Sequence, residues 1–421
     1  MTLRFLSHVL DDPTGLEAFI LEAEAAGRRL RVKFGIDPTS PDLHLGHLVP
    51  LRALRELQDR GHVAVLVMGD FTAQIGDPTG RNATRPRLSA AEAESNTQQI
   101  LAQLGQDKEP SQALLNFTQP DPWREGCEPV PSLSDYDRRG EVWNNSQWLR
   151  RLDLSDIIRL ASDATVNQML AKDDFSTRQR TGAPISLHEF IYPLLQGYDS
   201  FYINADIEIG GSDQLFNMNM GRDVMRRRGL EPQRLLRLPI LPGLDGAQKM
   251  SKSLGNAVGL AEDPFTAFQK LQALPDHLHR VYARLVLGVG LGDLTPDPTN
   301  SRGRQLAIAN AIITMLHGPE VAERVRRDAS LIAGGDTEGV QAVTPATLPA
   351  GGYPMPLAVV MREAGITSTS SQAQRLITGG GIRVDGERIT DPRACVMGPD
   401  HYDGRILQVG RGRAYRLTAT R

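Results

Sequence analysis

The sequence predicts an α/β protein: a Rossmann-like domain with a doubly wound parallel sheet, then an α-helical domain and a small α+β domain. Residues 30–36 alternate apolar and polar side chains, as a half-buried strand does, and residues 63–68 are an unbroken apolar run, typical of a parallel strand covered on both faces. Between them, apolar residues from Leu45 to Leu57 recur with a helical period, and Gly61 is a suitable C-cap. This βαβ unit has its first turn where open α/β sheets bind ligands.

Length and composition are those of an ordinary globular chain. With 421 residues, 40% hydrophobic and 23% charged, we expect two or three domains. No apolar run approaches the roughly 20 residues that span a bilayer and the N-terminus has no signal-peptide pattern, so we expect no membrane partner. The two cysteines, Cys127 and Cys395, argue against a disulfide framework and fit a cytoplasmic location. The net charge of −3 means that any contact with nucleic acid must be local.

Changes in composition divide the chain into four predicted segments. Residues 1–262 form the Rossmann-like domain, with a proline-rich and charged insertion at about 106–141 to which the sequence assigns no function. Residues 263–331 have a helical pattern, and residues 332–353, rich in Ala, Gly, Thr and Pro, indicate a linker. In residues 354–421, two helices and short strands are expected, and ten arginines against six carboxylates give a net charge of +4, which suits an RNA backbone.

A His-x-Gly-His motif opens the first predicted helix of the βαβ unit. His44 and His47 are three residues apart, so they share a face at a helix N-terminus, whose free N–H groups favour phosphate. Gly46 leaves room for a flat ring to approach the backbone. A solvated histidine pair and a metal site are the alternatives. We expect no metal, because no third ligand has metal-like spacing and the two cysteines are far apart.

A loop rich in Gly and Pro follows the second predicted strand, over residues 69–87. Asp77 in this loop could hold an amino group, and Arg81 and Arg85 could meet a departing polyphosphate. The alternative is a polar surface loop.

A later helix, capped at Ser186, carries Tyr192, Gln196 and Asp199 on one stripe of an otherwise apolar surface. Polar groups aligned in this way usually face either solvent or a polar ligand. The next strand ends in the segment Gly210–Gln214, where paired glycines permit close approach of a ribose or phosphate, although such a pair alone is more often a turn.

A second signature, Lys249-Met250-Ser251-Lys252-Ser253, lies roughly two hundred residues after the histidine motif, and the two in this order are far more specific than either alone. Four further stretches complete the pattern: Phe-Gly-Ile-Asp-Pro-Thr (34–39), Ile-Gly-Asp-Pro-Thr-Gly (75–80), Tyr-Pro-Leu-Leu-Gln-Gly-Tyr-Asp (192–199) and Gly-Gly-Ser-Asp-Gln (210–214). On these motifs the chain resembles the bacterial tyrosyl-tRNA synthetases, a family of class I aminoacyl-tRNA synthetases. The tail from residue 354 resembles the S4 RNA-binding module that ends them.

The resemblance implies tyrosine–tRNA ligase activity. The tyrosine carboxylate would attack the α-phosphorus of ATP, pyrophosphate would leave, and the 3′-terminal ribose hydroxyl of tRNA(Tyr) would then attack the tyrosyl-adenylate. The implied partners are L-tyrosine, ATP with Mg²⁺, tRNA(Tyr) and a second copy of the chain in a homodimer. No permanently bound metal or organic cofactor is implied.

The resemblance also assigns roles to residues. The catalytic groups, as transition-state stabilisers rather than bases, would be Thr39, His44, His47, Arg81, Arg85, Lys249 and Lys252. The tyrosine-binding groups would be Lys33, Asp77, Asn145, Tyr192, Gln196, Asp199 and Gln214, with Asp199 accepting from the phenol. ATP would be framed by Gly35, Asp37, Gly46, Gly211, Asp213, Lys249 and Lys252. In the basic tail, the candidate RNA-binding residues are Arg375, Arg383 and Arg388.

Position 33 departs from the better-known members of the family, which have a tyrosine beside the substrate phenol. We expect the Lys33 ammonium to replace that hydroxyl and to pair with Asp199.

Three other functions share some of these features. A tryptophanyl-tRNA synthetase would have the same fold and signatures, but the stripe from Tyr192 to Asp199 and the S4-like tail favour tyrosine. A non-catalytic RNA-binding relative is disfavoured by the two intact signatures. A small cytidylyl- or adenylyltransferase would lack the tail and the full lysine motif.

Overall fold

The computed structural model describes residues 4–9, 14–79, 88–105, 114–115, 117–118, 140–295, 297, 300–334, 343–410 and 413–419. The chain divides into two compact units. The first contains residues 1–243, 247–261 and 281–289, and the second contains residues 244–246, 262–280 and 290–421. None of the described helices is long and apolar enough to cross a membrane.

A six-stranded, fully parallel sheet forms the centre of the first unit. Its strands are β1 (Arg31–Ile36), β2 (Val63–Met68), β3 (Phe117–Thr118), β4 (Gly140–Asn144), β5 (Ile207–Gly211) and β6 (Arg234–Leu238). The strand order is β3-β4-β2-β1-β5-β6, so the direction of winding reverses between β1 and β5. The predicted doubly wound parallel sheet is confirmed.

Ten helices of the described residues precede β6. They are α1 (Arg4–Val9), α2 (Thr14–Ala25), α3 (Leu45–Asp59), α4 (Ala90–Leu104), α5 (Ser146–Leu149), α6 (Leu154–Ala161), α7 (Val166–Leu170), α8 (Asp173–Thr181), α9 (Leu187–Tyr202) and α10 (Leu215–Arg227). The predicted start of α3 is confirmed, since His44 is its N-cap. Its C-cap is Arg60, one residue before the predicted Gly61, which takes a left-handed conformation (φ 95°) and donates its N–H to the carbonyl of Gln58 at 2.9 Å.

Both faces of β2 are buried, as its unbroken apolar run predicts. Val63, Val65 and Val67 pack in one cluster with Leu194 of α9 and Val224 of α10. The alternate residues of the strand, which point to the opposite face, are equally shielded from solvent. Full burial of each valine contributes about 1.5–3 kcal/mol, so this strand anchors the sheet from both sides.

The second unit combines helices with two small sheets. The helices that follow β6 are α11 (Pro264–Leu271), α12 (His279–Tyr282), α13 (Leu291–Leu294), α14 (Ser301–His317), α15 (Pro319–Gly334), α16 (Leu357–Glu363), α17 (Ser370–Thr378) and α18 (Pro399–Tyr402). The strands are β7 (Thr344–Thr347), β8 (Met355–Pro356), β9 (Ile382–Val384), β10 (Glu387–Ile389), β11 (Cys395–Val396), β12 (Ile406–Val409) and β13 (Arg413–Thr418). Five of them form a sheet in the order β10-β9-β12-β13-β7.

The predicted linker over residues 332–353 contains a strand. Within it, β7 pairs in parallel with β13, and Val343 and Leu348 at its ends are buried. The sequence does not predict β7, because its pairing strand β13 lies about 70 residues further along the chain. The linker prediction is therefore wrong for residues 344–347.

Candidate active site

The site lies at the carboxyl ends of β1 and β5, where the winding of the sheet reverses. Asp37 follows the last residue of β1, and Asp213 follows β5 by two residues. Open α/β sheets bind ligands at this switch point, because the loops leaving neighbouring strands diverge there and open a crevice.

Two adjoining cavities occupy this crevice, one of about 260 Å³ and one of about 590 Å³. Both are lined by Asp37, Thr39, His47, Gly211 and Gln214. The other predicted residues on the smaller cavity are Lys33, Gly35, Asp77, Tyr192, Gln196 and Asp199. Those on the larger cavity are His44, Gly46, Asp213, Lys249 and Lys252. The structure thus brings both signatures and the α9 stripe to one continuous space.

Asp199 lies at the buried end of the smaller cavity, with an exposed fraction of 4%. Its carboxylate accepts from the indole nitrogen of Trp148 at 2.8 Å and from the amide of Asn145 at 3.2 Å. Burial raises the pKa of Asp199 to about 6, although the Lys33 ammonium and these two donors oppose the rise. Asn145 is fully buried, does not line either cavity, and also donates to Thr72. Its amide helps to hold Asp199 in place, and its predicted role in tyrosine binding stays a prediction.

Lys33 pairs with Glu208 and not with Asp199. The ammonium donates to Glu208 Oε1 at 2.8 Å, to Ser200 Oγ at 2.8 Å and to the carbonyl of Gln196 at 3.0 Å, which uses all three of its hydrogens. The predicted pairing with Asp199 is wrong because sheet register decides the partner. Lys33 on β1 lies directly opposite Glu208 on β5. The sequence signal for this pairing is Glu208 itself, because a carboxylate within the apolar strand Ile207–Gly211 needs a buried partner.

Asp37 connects the two cavities. Its carboxylate accepts from the hydroxyl of Tyr192 at 2.8 Å and from that of Thr72 at 2.7 Å. A Cβ at Gly69 would lie 2.0 Å from Asp37 Oδ1, so the close approach of this carboxylate requires glycine there. Burial raises the pKa of Asp37 to about 7, against the two hydroxyl donors.

Asp77 and Gln214 lie side by side on the smaller cavity. The Gln214 amide donates to Asp77 Oδ2 at 2.7 Å, and the backbone N–H of Thr79 donates to Asp77 Oδ1 at 2.9 Å. The loop that contains Asp77 and the segment that follows β5 therefore lie next to each other.

The two histidines are uncharged hydrogen-bond donors. Burial, together with the charge of nearby Lys252, lowers the pKa of His44 to about 3 and that of His47 to about 4. Nδ1 of His44 accepts from the backbone N–H of Gly46 at 3.2 Å, and Nδ1 of His47 accepts from the N–H of His44 at 3.2 Å. In a neutral ring whose Nδ1 accepts, Nε2 must carry the hydrogen. Neither ring then has a free lone pair with which to act as a base.

The lysine motif is held against the larger cavity by a buried amide. Asn256, 4% exposed, accepts from the N–H of Ser251 at 2.7 Å and donates to the carbonyl of Lys249 at 3.2 Å. The next residues of the chain pair with the start of α3, since the N–H of Leu45 donates to the carbonyl of Val258 at 3.0 Å. This pairing places the two signatures beside each other. Asn256 is not among the residues that the sequence predicts, because one asparagine in a loop gives no signal.

Both lysines of this motif form exposed ion pairs. Lys249 lies 3.3 Å from Asp213 and Lys252 pairs with Asp42, and three of the four side chains are more than a third exposed. In the part of the chain that the structure describes, no group of three or more His, Cys, Asp or Glu residues is placed to hold a metal ion. Arg81 and Arg85 lie outside the described residues.

The predicted RNA-binding arginines lie in the second unit. Arg375 is exposed on α17, and Arg383 on β9 faces Arg388 on β10 directly across a hairpin. Like charges in that position repel each other, so a bound anion would stabilise the pair. The hairpin turn is Asp385-Gly386, both with positive φ, as tight two-residue turns require.

Comparison with known families assigns the class. Residues 25–325 match the family of tRNA synthetases class I (W and Y), and residues 355–394 match the S4 domain. The fold, the switch-point crevice and the two signatures thus define a class I aminoacyl-tRNA synthetase.

Curated relatives narrow the class. One is a tyrosine–tRNA ligase from Synechococcus sp. (strain CC9902), 46% identical over 409 residues, which covers 97% of this chain and 94% of the relative. Another, from Prochlorococcus marinus (strain MIT 9313), is 47% identical over 399 residues, or 94% of this chain and 91% of the relative. The chain therefore belongs to the tyrosine–tRNA ligase family.

Solved structures agree on the fold. A C-terminally truncated mitochondrial tyrosyl-tRNA synthetase from Coccidioides posadasii has a TM-score of 0.56 at 22% identity, covering 78% of this chain and 92% of that one. A tyrosyl-tRNA synthetase complexed with L-tyrosine, from Archaeoglobus fulgidus, has a TM-score of 0.55 at 21% identity, covering 77% and 98%.

Proposed function

We propose that the protein activates L-tyrosine with ATP, forming tyrosyl-adenylate and pyrophosphate, and then transfers tyrosine to the 3′-terminal adenosine of tRNA(Tyr). The observation that carries the proposal is the junction of the two cavities. The smaller one ends at a buried carboxylate, and the larger one is lined by both signatures. An amino acid in the first would present its carboxylate to a nucleotide in the second.

The smaller cavity suits a phenol at one end and an α-amino acid at the other. Asp199 keeps lone pairs for a phenol hydrogen beyond those used by Trp148 and Asn145. At the opposite end, Asp77 and Tyr192 offer oxygen atoms to an ammonium, and Gln214 offers an N–H to a carboxylate. A phenylalanine side chain, which has no donor, would leave the buried Asp199 facing carbon, so this end of the cavity favours a side chain that carries a hydrogen-bond donor.

The larger cavity supplies donors for the phosphates. The neutral rings of His44 and His47 donate from Nε2, and Thr39 lies where the cavities meet. Lys249 and Lys252 exchange their carboxylate partners for the β- and γ-phosphates, and Arg81 and Arg85 join them. Adenylation then requires alignment and charge stabilisation at phosphorus rather than a general base, which fits rings that have no free lone pair. Mg²⁺ arrives as the ATP complex and is a part of the substrate.

The nucleotide contacts follow from the same geometry. Gly35 and Gly46 keep the backbone accessible beside Asp37, and Gly211 with Asp213 faces the ribose. Asp213 is freed for this contact when Lys249 turns to the phosphates.

The protein acts as a homodimer in the cytoplasm. Support for a partner copy comes from four large apolar side chains on neighbouring helices, Leu154, Ile158, Val166 and Leu187, whose exposed fractions are 75%, 62%, 63% and 82%. We propose that these side chains form one patch, because large exposed apolar patches mark interfaces.

Amino-acid-dependent exchange of pyrophosphate with ATP tests the first step. Tyrosine should support exchange, and tryptophan and phenylalanine should not. Equal exchange with all three, or none with tyrosine, would contradict the proposal.

For the second step, Arg383→Gln with Arg388→Gln should raise the KM for tRNA(Tyr) in charging and leave exchange unchanged. Unaltered charging would show that these two arginines do not contact tRNA.

A further inference from the structure

A buried lysine lies next to the smaller cavity without lining it. Lys172, the residue before α8, is 4% exposed. Its ammonium donates to Thr79 Oγ1 at 2.7 Å and to Asn217 Oδ1 at 3.2 Å, and Asp77 Oδ1 is 3.8 Å away. Burying an ammonium is costly, so its retention at this place calls for a physical reason.

Lys172 belongs to a closed circuit of hydrogen bonds that reaches the cavity. The Asn217 amide donates to Gln214 Oε1 at 2.9 Å, and the Gln214 amide donates to Asp77 Oδ2 at 2.7 Å. The N–H of Thr79 donates to Asp77 Oδ1 at 2.9 Å, which closes the circuit back to the lysine. Asn217 is fully buried, whereas Asp77 and Gln214 line the cavity.

The ammonium imposes a direction on this circuit. A lysine ammonium can only donate, so Asn217 must turn its oxygen toward Lys172 and its NH₂ toward Gln214. Gln214 must then receive that bond on its oxygen, and its NH₂ faces Asp77 and the cavity. The Asp77 carboxylate, which can only accept, holds the same direction at the other end of the relay. Without the ammonium, Asn217 could turn its oxygen toward the oxygen of Gln214, and Gln214 would lose the bond that holds it beside the cavity.

We propose that Lys172 is a positioning residue for amino-acid recognition: it fixes the direction of the Asn217–Gln214 relay, so that the cavity presents an N–H to the substrate carboxylate and a carboxylate to its ammonium. The proposal rests on the proposed function and deepens it. It assigns to a side chain outside the cavity the orientation of the groups that recognise the α-ammonium and α-carboxylate, the part common to all amino acids.

The first test removes the ammonium and keeps the volume. For Lys172→Met we expect the KM for tyrosine in pyrophosphate exchange to rise about 10- to 100-fold, since bonds to charged groups are affected. The KM for ATP should change less than about twofold. The inhibition constant of 4-methylphenol, which has the phenol but neither α-group, should also stay within about twofold. Lys172→Arg, which keeps the donors, should recover part of the loss.

Arg228→Met is the matched control. Arg228 is a partly buried cation next to α10, paired with Asp163 at 2.5 Å and away from both cavities. Its loss should lower the melting temperature without changing the KM for tyrosine. If Lys172→Met raised the KM for tyrosine and the inhibition constant of 4-methylphenol by similar factors, the lysine would only support the core. That result would overturn the proposal.

A second variant tests the direction of the relay without removing the lysine. Asn217→Asp keeps an acceptor for Lys172, but a carboxylate cannot donate to Gln214. The new ion pair should preserve folding, and the KM for tyrosine should still rise about 10-fold or more. An unchanged KM for tyrosine would overturn the relay even if Lys172→Met fails to fold. Failure of the proposed function itself would look different, because the unmodified protein would then show no tyrosine-dependent exchange.

Discussion

The two ends of the active site hold their lysines in opposite ways. At the base of the smaller cavity, Lys33 and Glu208 lie 2.8 Å apart with side chains only 1% and 3% exposed. Beside the larger cavity, Lys249 and Asp213 lie 3.3 Å apart with side chains 46% and 28% exposed. One pair is enclosed by protein, and the other faces the solvent from which, in the proposed function, the nucleotide enters.

This difference in burial gives the two ends different tasks. A buried ion pair cannot lose one partner cheaply, because the other charge is left without water, so the base of the smaller cavity keeps one arrangement. An exposed pair contributes only about 0–1 kcal/mol, so the phosphates of ATP can replace Asp213 and Asp42 as partners of the lysines. In the proposed function, the end that selects the amino acid is therefore fixed, and the end that handles phosphate can exchange its contacts.

The largest expected effect comes from breaking the buried pair. Lys33→Met should lower the free energy of unfolding by about 3–5 kcal/mol, because Glu208 is left charged and buried. Adding Glu208→Gln should recover at least half of the loss, since the amide can still accept from Gln196. Lys249→Met should cost less than about 1 kcal/mol. Urea unfolding of the three variants checks the comparison, and equal losses for Lys33→Met and Lys249→Met would refute it.

A smaller effect, on rate, is expected at the histidines. His47→Ala should lower kcat for pyrophosphate exchange about 10²- to 10³-fold, the usual effect of removing one transition-state donor, with little change in the KM for tyrosine. Exchange kinetics over a range of both substrates gives the answer. A change confined to the KM for ATP would show instead that His47 binds the ground state.

His47 should also make the stability of the fold depend on pH. Its pKa of about 4 is below the ordinary 6.5, so the unfolded chain takes up its proton first as the pH falls. The stabilising contribution is complete above pH 6.5 and is lost between pH 6.5 and about 4, by at most about 1.4 kcal/mol per pH unit. His47→Gln should flatten the stability curve in that window.

Selection of the phenol should depend on Asp199, with an effect smaller than that of His47. Asp199→Ala should lower kcat/KM for tyrosine about 10- to 100-fold and leave that for phenylalanine unchanged or higher. Because the pKa of Asp199 is raised to about 6, acidification below that value protonates the acceptor, so the KM for tyrosine in the unmodified protein should rise as the pH falls. Asn145→Ala should also lower kcat/KM for tyrosine, by a smaller factor. Equal losses for both amino acids would remove Asp199 from phenol recognition.

The parts of the site that the sequence predicts are those whose geometry is local. A strand end places Asp37, a helix period aligns Tyr192, Gln196 and Asp199, and a helix N-terminus holds His44. Each depends on neighbours within one or two helical turns, so periodicity and breaker residues are sufficient signals.

The parts that the sequence does not predict depend on long-range pairing. Lys33 meets Glu208 rather than Asp199 because of sheet register, which no local pattern encodes. Lys172 meets Thr79 and Asn217 across separations of 93 and 45 residues. A buried charge in an apolar stretch was a signal that a partner existed, without naming it.

The smallest expected effect concerns the exposed pair of Lys252 with Asp42. If ATP competes with Asp42 for the lysine, Asp42→Asn should lower the KM for ATP about two- to fivefold at low salt, the equivalent of one exposed pair. The difference should shrink at high ionic strength, because the attraction is screened. Asp59→Asn, which removes an exposed partner of Arg55, is the control and should leave the KM for ATP unchanged. If Asp42→Asn instead raises the KM for ATP, Asp42 aligns the lysine for the nucleotide rather than competing with it, and the exchangeable end of the site is more ordered than its exposure implies.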